Sequence, residues 1–385
     1  MKIGTQNYLI EFTCLTSNSE LTLRPKIESM AFSFLKKKKN SKDDRYQTLT
    51  IKEVVDVAKD AVNVVFEKPD EFDYKPGQFI TIIDKVKGQK IRRAYSLCTT
   101  PYEDVNPAVT VKRVPGGAMS NHINDTFKTG ALVETMEPMG MFTTDYSSDK
   151  KRKAVFFGGG SGITPLMAIL RSILLKEPLS EVVLVYGNRS KEYIIFDELI
   201  KSLAEKYAER FRVIHILEEG ESDYTGRPSE EMLLGICRSI ELDSNTECFI
   251  CGPQPMMDLV SEVLPKAGAD EAKVMMESFE AGKTSPKDVA ESKSAASKVT
   301  ILLDGEEHEI AVKSNEVILE EALNNDLDMP YSCQSGLCTA CRGRCLEGKA
   351  SVDDAEGLSQ AEIDEGFVLT CVAKPLTDSI KIEMG

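Results

Sequence analysis

Residues 330–343 read PYSCQSGLCTACRG. Cys333, Cys338 and Cys341 fall within nine residues, and Cys371 follows thirty residues later. The spacing is C-x4-C-x2-C with a distant fourth cysteine, which is how four thiolates hold a [2Fe–2S] cluster. The loop chemistry suits that use. Gln334-Ser335-Gly336 and the small Thr339 and Ala340 let backbone N–H groups turn toward sulfur, and such hydrogen bonds help to set a cluster's potential. Structural zinc is the rival reading. Zinc ribbons use two tight cysteine pairs, whereas only Cys338 and Cys341 form one here. Cys345, four residues further on, reads as a bystander thiol.

The rest of the chain explains why thiols are wanted. It has 385 residues, of which 42% are hydrophobic and 28% charged, a globular composition long enough for two or three domains. No apolar run approaches the ~18 residues of a membrane span, and the start lacks the pattern of a secretory signal. A cytoplasmic location is the expectation. Disulfides are rare there, so ten cysteines are read as buried thiols, metal ligands or reactive groups. The formal net charge of -15 argues against nucleic acid as a partner. Much of the acid sits in residues 298–385, with 18 Asp and Glu against 7 Lys and Arg. Such a module steers toward a basic protein surface, or is simply well solvated.

Organisation follows from periodicity. Residues 1–45 have no sustained apolar period and carry the run Lys36-Lys37-Lys38-Lys39; they read as a disordered extension. Residues 46–150 are short strands separated by Gly, Pro, Asn and Asp, the signature of an antiparallel β-barrel, with one short helix at SNHINDTF. Residues 151–280 alternate apolar strands (KAVFFGG, EVVLVYG, FRVIHIL, ECFICG) with helical stretches, which predicts an α/β domain on a parallel sheet. Residues 281–297, AGKTSPKDVAESKSAAS, are a linker by composition. Residues 298–385 then form a small α+β module: a hairpin, a helix at EVILEEALNN, the cysteine loop and a last strand at SIKIEM.

A [2Fe–2S] cluster passes electrons singly, whereas a nicotinamide dinucleotide gives up two with its hydride. A flavin can stand between them, so the upstream residues are searched for both sites. GGGSGITP, 158–165, leaves an apolar strand and enters a helix, where glycines admit a pyrophosphate and the helix N-terminus favours it. Thr164 is the expected helix cap, and Pro165 suits the first turn. CGPQPMM, 251–257, ends a later strand on the side where open parallel sheets bind ligands. RAYSL, 93–97, offers a cation, a ring and a hydroxyl; strand alternation sends Arg93 and Tyr95 to one face and Ser96 to the other. PGGAMSN, 115–121, is a second glycine turn entering a helix. In YGNRS, 186–190, Arg189 and Ser190 are placed to grip a 2′-phosphate, and no acidic residue occupies the turn, which favours NADPH over NADH.

The ordered motifs RAYS, GGAMSN, GGGSGITP and CGPQPMM resemble the ferredoxin–NADP reductase superfamily, and 298–385 resemble a plant-type ferredoxin of β-grasp fold. The joined arrangement over 46–385 looks like the reductase components of multicomponent oxygenases, phenylacetyl-CoA epoxidase reductases among them. The resemblance implies FAD in the barrel, NAD(P)H in the α/β domain and a [2Fe–2S] cluster on Cys333, Cys338, Cys341 and Cys371. It implies that Arg93 binds flavin phosphate, Tyr95 stacks on the isoalloxazine and Ser96 hydrogen-bonds near its reactive nitrogen. Gly117 and Ser120 would sit at the flavin pyrophosphate. Gly159, Gly160, Gly162 and Thr164 would line the dinucleotide pyrophosphate, with Cys251 and Gly252 beside the nicotinamide. Glu277-Ser278-Phe279 matches the family's closing Glu-x-aromatic, with Phe279 over the flavin face opposite Tyr95. Ser96, Cys251 and Glu277 are the implied catalytic set. The implied partner is an oxygenase; a desaturase or hybrid-cluster protein is the alternative acceptor, and a zinc-bearing docking module is the alternative of another class.

Overall fold

In the computed structural model, residues 46–279 and 296–384 are described. The extension expected at 1–45, with its lysine run, lies outside them, as does the expected linker apart from its last two residues. Strands β1 (Tyr46–Ala58), β2 (Ala61–Phe66), β3 (Phe79–Val86), β4 (Gln89–Ser96) and β5 (Ala108–Lys112) precede helix α1 (Ala118–Thr126) and strand β6 (Leu132–Met136). They pair antiparallel in the order β4-β3-β6-β1-β2-β5. A bridge from Leu97 to Val109 joins the two open edges and closes a barrel. Alternate residues fill it: Leu49 and Ile51, Val64 and Phe66, Ile80 and Ile82, Val109 and Val111. The β3–β4 hairpin turns on Lys87-Gly88, both at positive φ, a two-residue loop whose twist matches that of the strands.

The next segment contains β7 (Lys153–Gly159), α2 (Ile163–Lys176), β8 (Glu181–Asn188), α3 (Asp197–Lys206), β9 (Phe211–Leu217), β10 (Tyr224–Thr225), α4 (Glu230–Ser239), β11 (Glu247–Cys251), α5 (Gln254–Lys266) and β12 (Val274–Glu277). All six strands run parallel, in the order β10-β9-β8-β7-β11-β12. Phe156, Leu184 and Phe249 pack under α2 and α3, while Phe157, Val185 and Ile250 pack under α4 and α5. Strand order reverses between β7 and β11, so the carboxyl ends of those strands border the crevice where such sheets bind ligands. One local expectation fails. The cap of α2 is Gly162, with no side-chain bond; Thr164 lies inside the first turn and donates its hydroxyl proton to the Ser161 carbonyl at 3.0 Å. The short turn Gly160–Gly162 starts the spiral earlier than the motif suggests.

The last segment has β13 (Ser297–Leu303), β14 (Glu306–Val312), α6 (Ile318–Asn324), β15 (Arg342–Glu347), α7 (Gln360–Asp364), β16 (Phe367–Leu369) and β17 (Ser379–Met384). The sheet order is β14-β13-β17-β15-β16, with β13 and β17 parallel and the other pairs antiparallel. Ile318, Leu319 and Ala322 of α6 pack on Val299, Ile301, Ile380 and Ile382. The cysteine loop fills the space between α6 and β15.

Polar contacts join these bodies. The Thr100 and Ser172 hydroxyls meet at 2.7 Å, and Arg171 of α2 pairs with Asp104 at 2.7 Å and Glu103 at 2.6 Å. The cysteine module sits on the barrel. Phe79, Ile83 and Met136 pack with Cys338 and Ala340, and the buried Thr81 and Ser332 hydroxyls share a hydrogen bond. Beside them Arg92, 3% exposed, pairs with Asp328 at 2.7 Å and lies 5.4 Å over the Tyr331 ring. Lys90 reaches the same carboxylate at 2.9 Å.

Candidate functional site

All three bodies border one cavity of about 370 Å³. The end of β4 contributes Arg93, Ala94 and Ser96; the end of β12 contributes Glu277, Ser278 and Phe279; the cysteine loop contributes Ser332 through Ser335. Glu277 is nearly fully buried, and burial pushes its carboxyl up to about 8, with the Ser96 hydroxyl opposing the shift. Its Oε2 has no hydrogen-bond partner. Cys251 pairs in register with Glu277 across β11 and β12. It is fully buried behind the cavity, and burial lifts its thiol well above the usual range. Ser96, Cys251 and Glu277 are therefore neighbours, although Cys251 does not line the cavity. Phe279 does, half exposed at 50%.

Tyr95 follows on the same strand. It packs against the barrel core and is not part of the cavity lining, whereas Arg93, Ala94 and Ser96 all are. Strand β4 ends at Ser96 and keeps an unbroken antiparallel register with β3, in which Arg93 faces Ile82 and Tyr95 faces Ile80. Gly117 is the cap of α1, and the Ser120 hydroxyl accepts from the Val114 N–H at 3.2 Å; neither residue borders a described cavity.

A second cavity, about 400 Å³, opens at the carboxyl ends of β7 and β8 and is lined by Gly159, Gly160, Arg189, Arg227, Pro253 and Met256, among others. Gly160 has φ of 51°, in the left-handed region. Gly162 lies behind it, where a Cβ would stand 2.0 Å from the Cys251 carbonyl oxygen, so the glycine turn and the strand bearing Cys251 and Gly252 pack backbone to backbone. Thr164 and Ser190 do not border this cavity. The turn after β8 has no acid of its own, but the chain after β9 brings two. Arg189 Nε faces Glu219 at 3.5 Å, and Arg227 Nε faces Glu218 at 3.4 Å. Both contacts are long and use Nε, which leaves the terminal nitrogens of each guanidinium for another anion.

The thiols complete the site. Cys333 lies within hydrogen-bonding reach of Cys338 and Cys371, and Cys341 within reach of Cys371. Those bonds hold Cys333 well below the ordinary thiol range. Each of the four thiols perturbs the ionisation of at least one of the others, so they lie together. Among the described residues no three His, Cys, Asp or Glu side chains surround a single-ion site. The Ser335 N–H points at Cys333 Sγ, 3.4 Å away, and the Ala340 N–H turns to Cys338. Gly336, at φ of 76°, permits this loop path; a Cβ there would meet the Asp354 carbonyl oxygen at 2.0 Å. Cys345 is apart from the four, its thiol directed to the Glu347 carbonyl at 3.3 Å. The donor set fits an iron–sulfur cluster.

Three family models match in tandem: an oxidoreductase FAD-binding domain over 48–144, an oxidoreductase NAD-binding domain over 156–262, and a 2Fe-2S iron-sulfur cluster binding domain over 301–376. The last match sets aside the zinc alternative. The ferredoxin reductase component of a 3-ketosteroid-9-alpha-monooxygenase from Rhodococcus rhodochrous is 37% identical over 87% of this chain and 96% of its own. One chain of the 1,2-phenylacetyl-CoA epoxidase of Escherichia coli (strain K12) is 31% identical over 88% of this chain and 97% of its own. Among solved structures, phthalate dioxygenase reductase shares the fold at a TM-score of 0.58 and 23% identity, over 89% of this chain and 98% of its own. The chain belongs to the family of ferredoxin reductases that pass electrons from a nicotinamide dinucleotide through FAD to a [2Fe–2S] cluster.

Proposed function

We propose that this chain oxidises NADPH in the cytoplasm and delivers electrons singly to a separate oxygenase, of the monooxygenase or epoxidase kind that its relatives' names carry. FAD, when bound, supplies the change from paired to single electrons. The chain's own residues orient and tune it. Arg93 offers a cation to the flavin phosphate, Gly117 and Ser120 present the start of α1 to the pyrophosphate, and Tyr95 and Phe279 bound the ring. Ser96 directs its hydroxyl at Glu277, whose carboxyl burial favours in the protonated form and which would face the flavin when it is bound. Gly159, Gly160, Gly162 and Thr164 shape the dinucleotide turn, with Cys251 and Gly252 packed against it. Arg189 and Ser190 favour the 2′-phosphate. Cys333, Cys338, Cys341 and Cys371 hold the cluster.

The observation that carries this reading is the shared cavity: Ser96 and Glu277 stand in one enclosure with Cys333. Close, fixed approach of donor and acceptor groups is what a transfer chain requires. The test is anaerobic addition of NADPH to purified holoprotein, followed by addition of an oxygenase encoded beside it. Flavin and iron–sulfur absorption should bleach together, and oxygenase turnover should depend on this chain. Material without iron or acid-labile sulfide, or bleaching with no turnover by any such oxygenase, refutes the proposal.

A further inference from the structure

Strand β3 between Phe79 and Ile83, FITII, is buried throughout, and Thr81 is its one polar side chain. A hydroxyl in such a place is costly unless it is hydrogen-bonded. Its partner is far off in sequence: the Ser332 hydroxyl, in the residue before Cys333. Thr81 is 0% exposed and Ser332 7%. Among the described residues, each hydroxyl has the other as its only hydrogen-bond partner.

The register of the β3–β4 ladder gives this contact its meaning. Phe79 faces Ser96, Thr81 faces Ala94, and Ile83 faces Arg92. The barrel core takes Ile80, Ile82, Ile91 and Tyr95 of these strands, so the three rungs stand on the outer wall. The cysteine module follows them in order. Asp328 and Tyr331 meet the Arg92 rung, and Ser332 meets the Thr81 rung. The Ser96 rung opens into the cavity that Ser332 and Cys333 also line. Neighbouring rungs are about 6.7 Å apart, two residues of strand. The chain that enters the cysteine loop therefore runs along the ladder toward Ser96.

The contacts that hold it there differ in precision. The apolar packing of Phe79, Ile83 and Met136 on Cys338 and Ala340 is non-directional. The Asp328 cluster joins two long basic side chains to a carboxylate that is 58% exposed, and it tolerates small shifts. The hydroxyl pair joins two short side chains in a dry patch, is directional, and lies one residue from Cys333.

We infer that Thr81 is a positioning residue for electron transfer: its bond to Ser332 fixes the register of the cysteine loop on the barrel, and with it the approach of Cys333 to the flavin site at Ser96. The inference rests on the electron-transfer reading of the shared cavity. A module held by the other contacts alone stays attached but slips along the wall, and transfer needs a fixed, close approach. One electron leaves reduced flavin and one arrives at the cluster; no bond forms or breaks at Thr81 or Ser332.

The test compares holoprotein with Thr81→Val, which keeps the shape and removes the hydroxyl. Under anaerobic stopped-flow mixing with NADPH, flavin reduction should keep its rate. Cluster reduction should slow about five- to thirty-fold, the worth of a buried hydroxyl left without its partner. Amides of residues 329–333 should lose protection from hydrogen exchange, read by mass spectrometry. The chemically reduced cluster should keep its wild-type electron paramagnetic resonance spectrum, because the four thiolates are untouched. Thr81→Ser should restore most of the rate. Ser332→Ala should slow cluster reduction as Thr81→Val does, and the double variant should be no slower than either. Four results overturn the inference: cluster reduction within about twofold of wild type in Thr81→Val, an altered cluster spectrum accompanying the lag, no rescue by Thr81→Ser, or additive losses in the double variant. Wild type in which NADPH bleaches flavin and never the cluster would remove the electron-transfer reading itself, and the inference with it.

Discussion

Replacing Asp328 with asparagine tests whether the cysteine module works from its seat on the barrel. The substitution keeps shape and removes one charge. In the structure that carboxylate takes Arg92 at 2.7 Å and Lys90 at 2.9 Å. Arg92 is 3% exposed, and its Nε already lacks a partner, so it depends on Asp328. A hydrogen bond to a charged group contributes about 1.5–3 kcal/mol. Asp328 is itself 58% exposed, and solvent screening reduces that figure to about 1–2 kcal/mol. Conversion at about 1.4 kcal/mol per tenfold gives a roughly 5–30-fold loss in the ratio of seated to unseated module. The assay is anaerobic stopped-flow mixing with NADPH, with flavin and cluster bands followed separately. Flavin reduction should keep its rate, and cluster reduction should lag behind it. Added salt should slow cluster reduction in wild type and have little further effect in the variant. Asp326→Asn, an exposed change two residues away, is the control. An unchanged cluster rate in Asp328→Asn, or an equal lag in Asp326→Asn, would refute the argument that this ion pair seats the module.

Cys338→Ser should retain NADPH oxidation with two-electron dye acceptors and lose cytochrome c reduction; normal cytochrome reduction would show that electrons leave without the cluster. Arg189→Ala should raise the Michaelis constant for NADPH by about tenfold, as loss of a charge-assisted bond implies, with little change for NADH. Equal changes would remove the 2′-phosphate argument and leave Glu219, its present neighbour, as the partner that matters. Arg152→Met concerns stability. Arg152 binds the fully buried Glu177 through two nitrogens, at 2.7 and 3.0 Å. Its removal strands a buried carboxylate and should cost about 3–5 kcal/mol. Urea unfolding of the holoprotein checks this; a loss below about 1 kcal/mol would mean that Glu177 finds another partner or a proton.

What was legible in the sequence is what local spacing dictates. The cysteine loop was readable because four ligands must recur at fixed intervals. Strands β7, β8, β9 and β11 were readable because parallel strands buried on both faces are continuous apolar runs. Arg92 shows where such reading stops. RRAYS presents two adjacent arginines, and the motif selects Arg93. The buried one is Arg92, because Asp328, more than two hundred residues later, meets it there. No local pattern encodes that meeting. Glu218 and Glu219 escaped notice for the same reason, since they reach Arg227 and Arg189 from the next strand and not from the turn after β8. Thr164 failed as a cap because a preceding glycine spiral moved the helix start two residues earlier. The three residues of β16 are too few for a period to show, and β15, RGRCLE, carries no apolar alternation, so tertiary pairing alone defines them.

The contacts that escaped the sequence are those between domains, and their physical character bears on function. The barrel meets the cysteine module through a small apolar patch of Phe79, Ile83 and Met136, one hydroxyl pair, and the Asp328 cluster. An interface of that kind resembles a transient protein–protein contact more than a core. Most acidic charge of the module is not spent on it. Glu307, Glu309, Glu316 and Glu362 pair with lysines and an arginine of the module itself, and the net surplus of acid over 298–385 remains. That surplus would attract an acceptor with a basic surface at long range, while the short-range bonds at Asp328 hold the barrel. The two have different signatures: steering changes the association rate and falls steeply with salt, whereas seating changes the internal transfer step. Neutralising Glu307 and Glu309 together should therefore slow acceptor capture and spare cluster reduction, the reverse of the result expected for Asp328→Asn. If both sets of substitutions slowed the same step, the division of the module's charge between an inner and an outer task would be wrong.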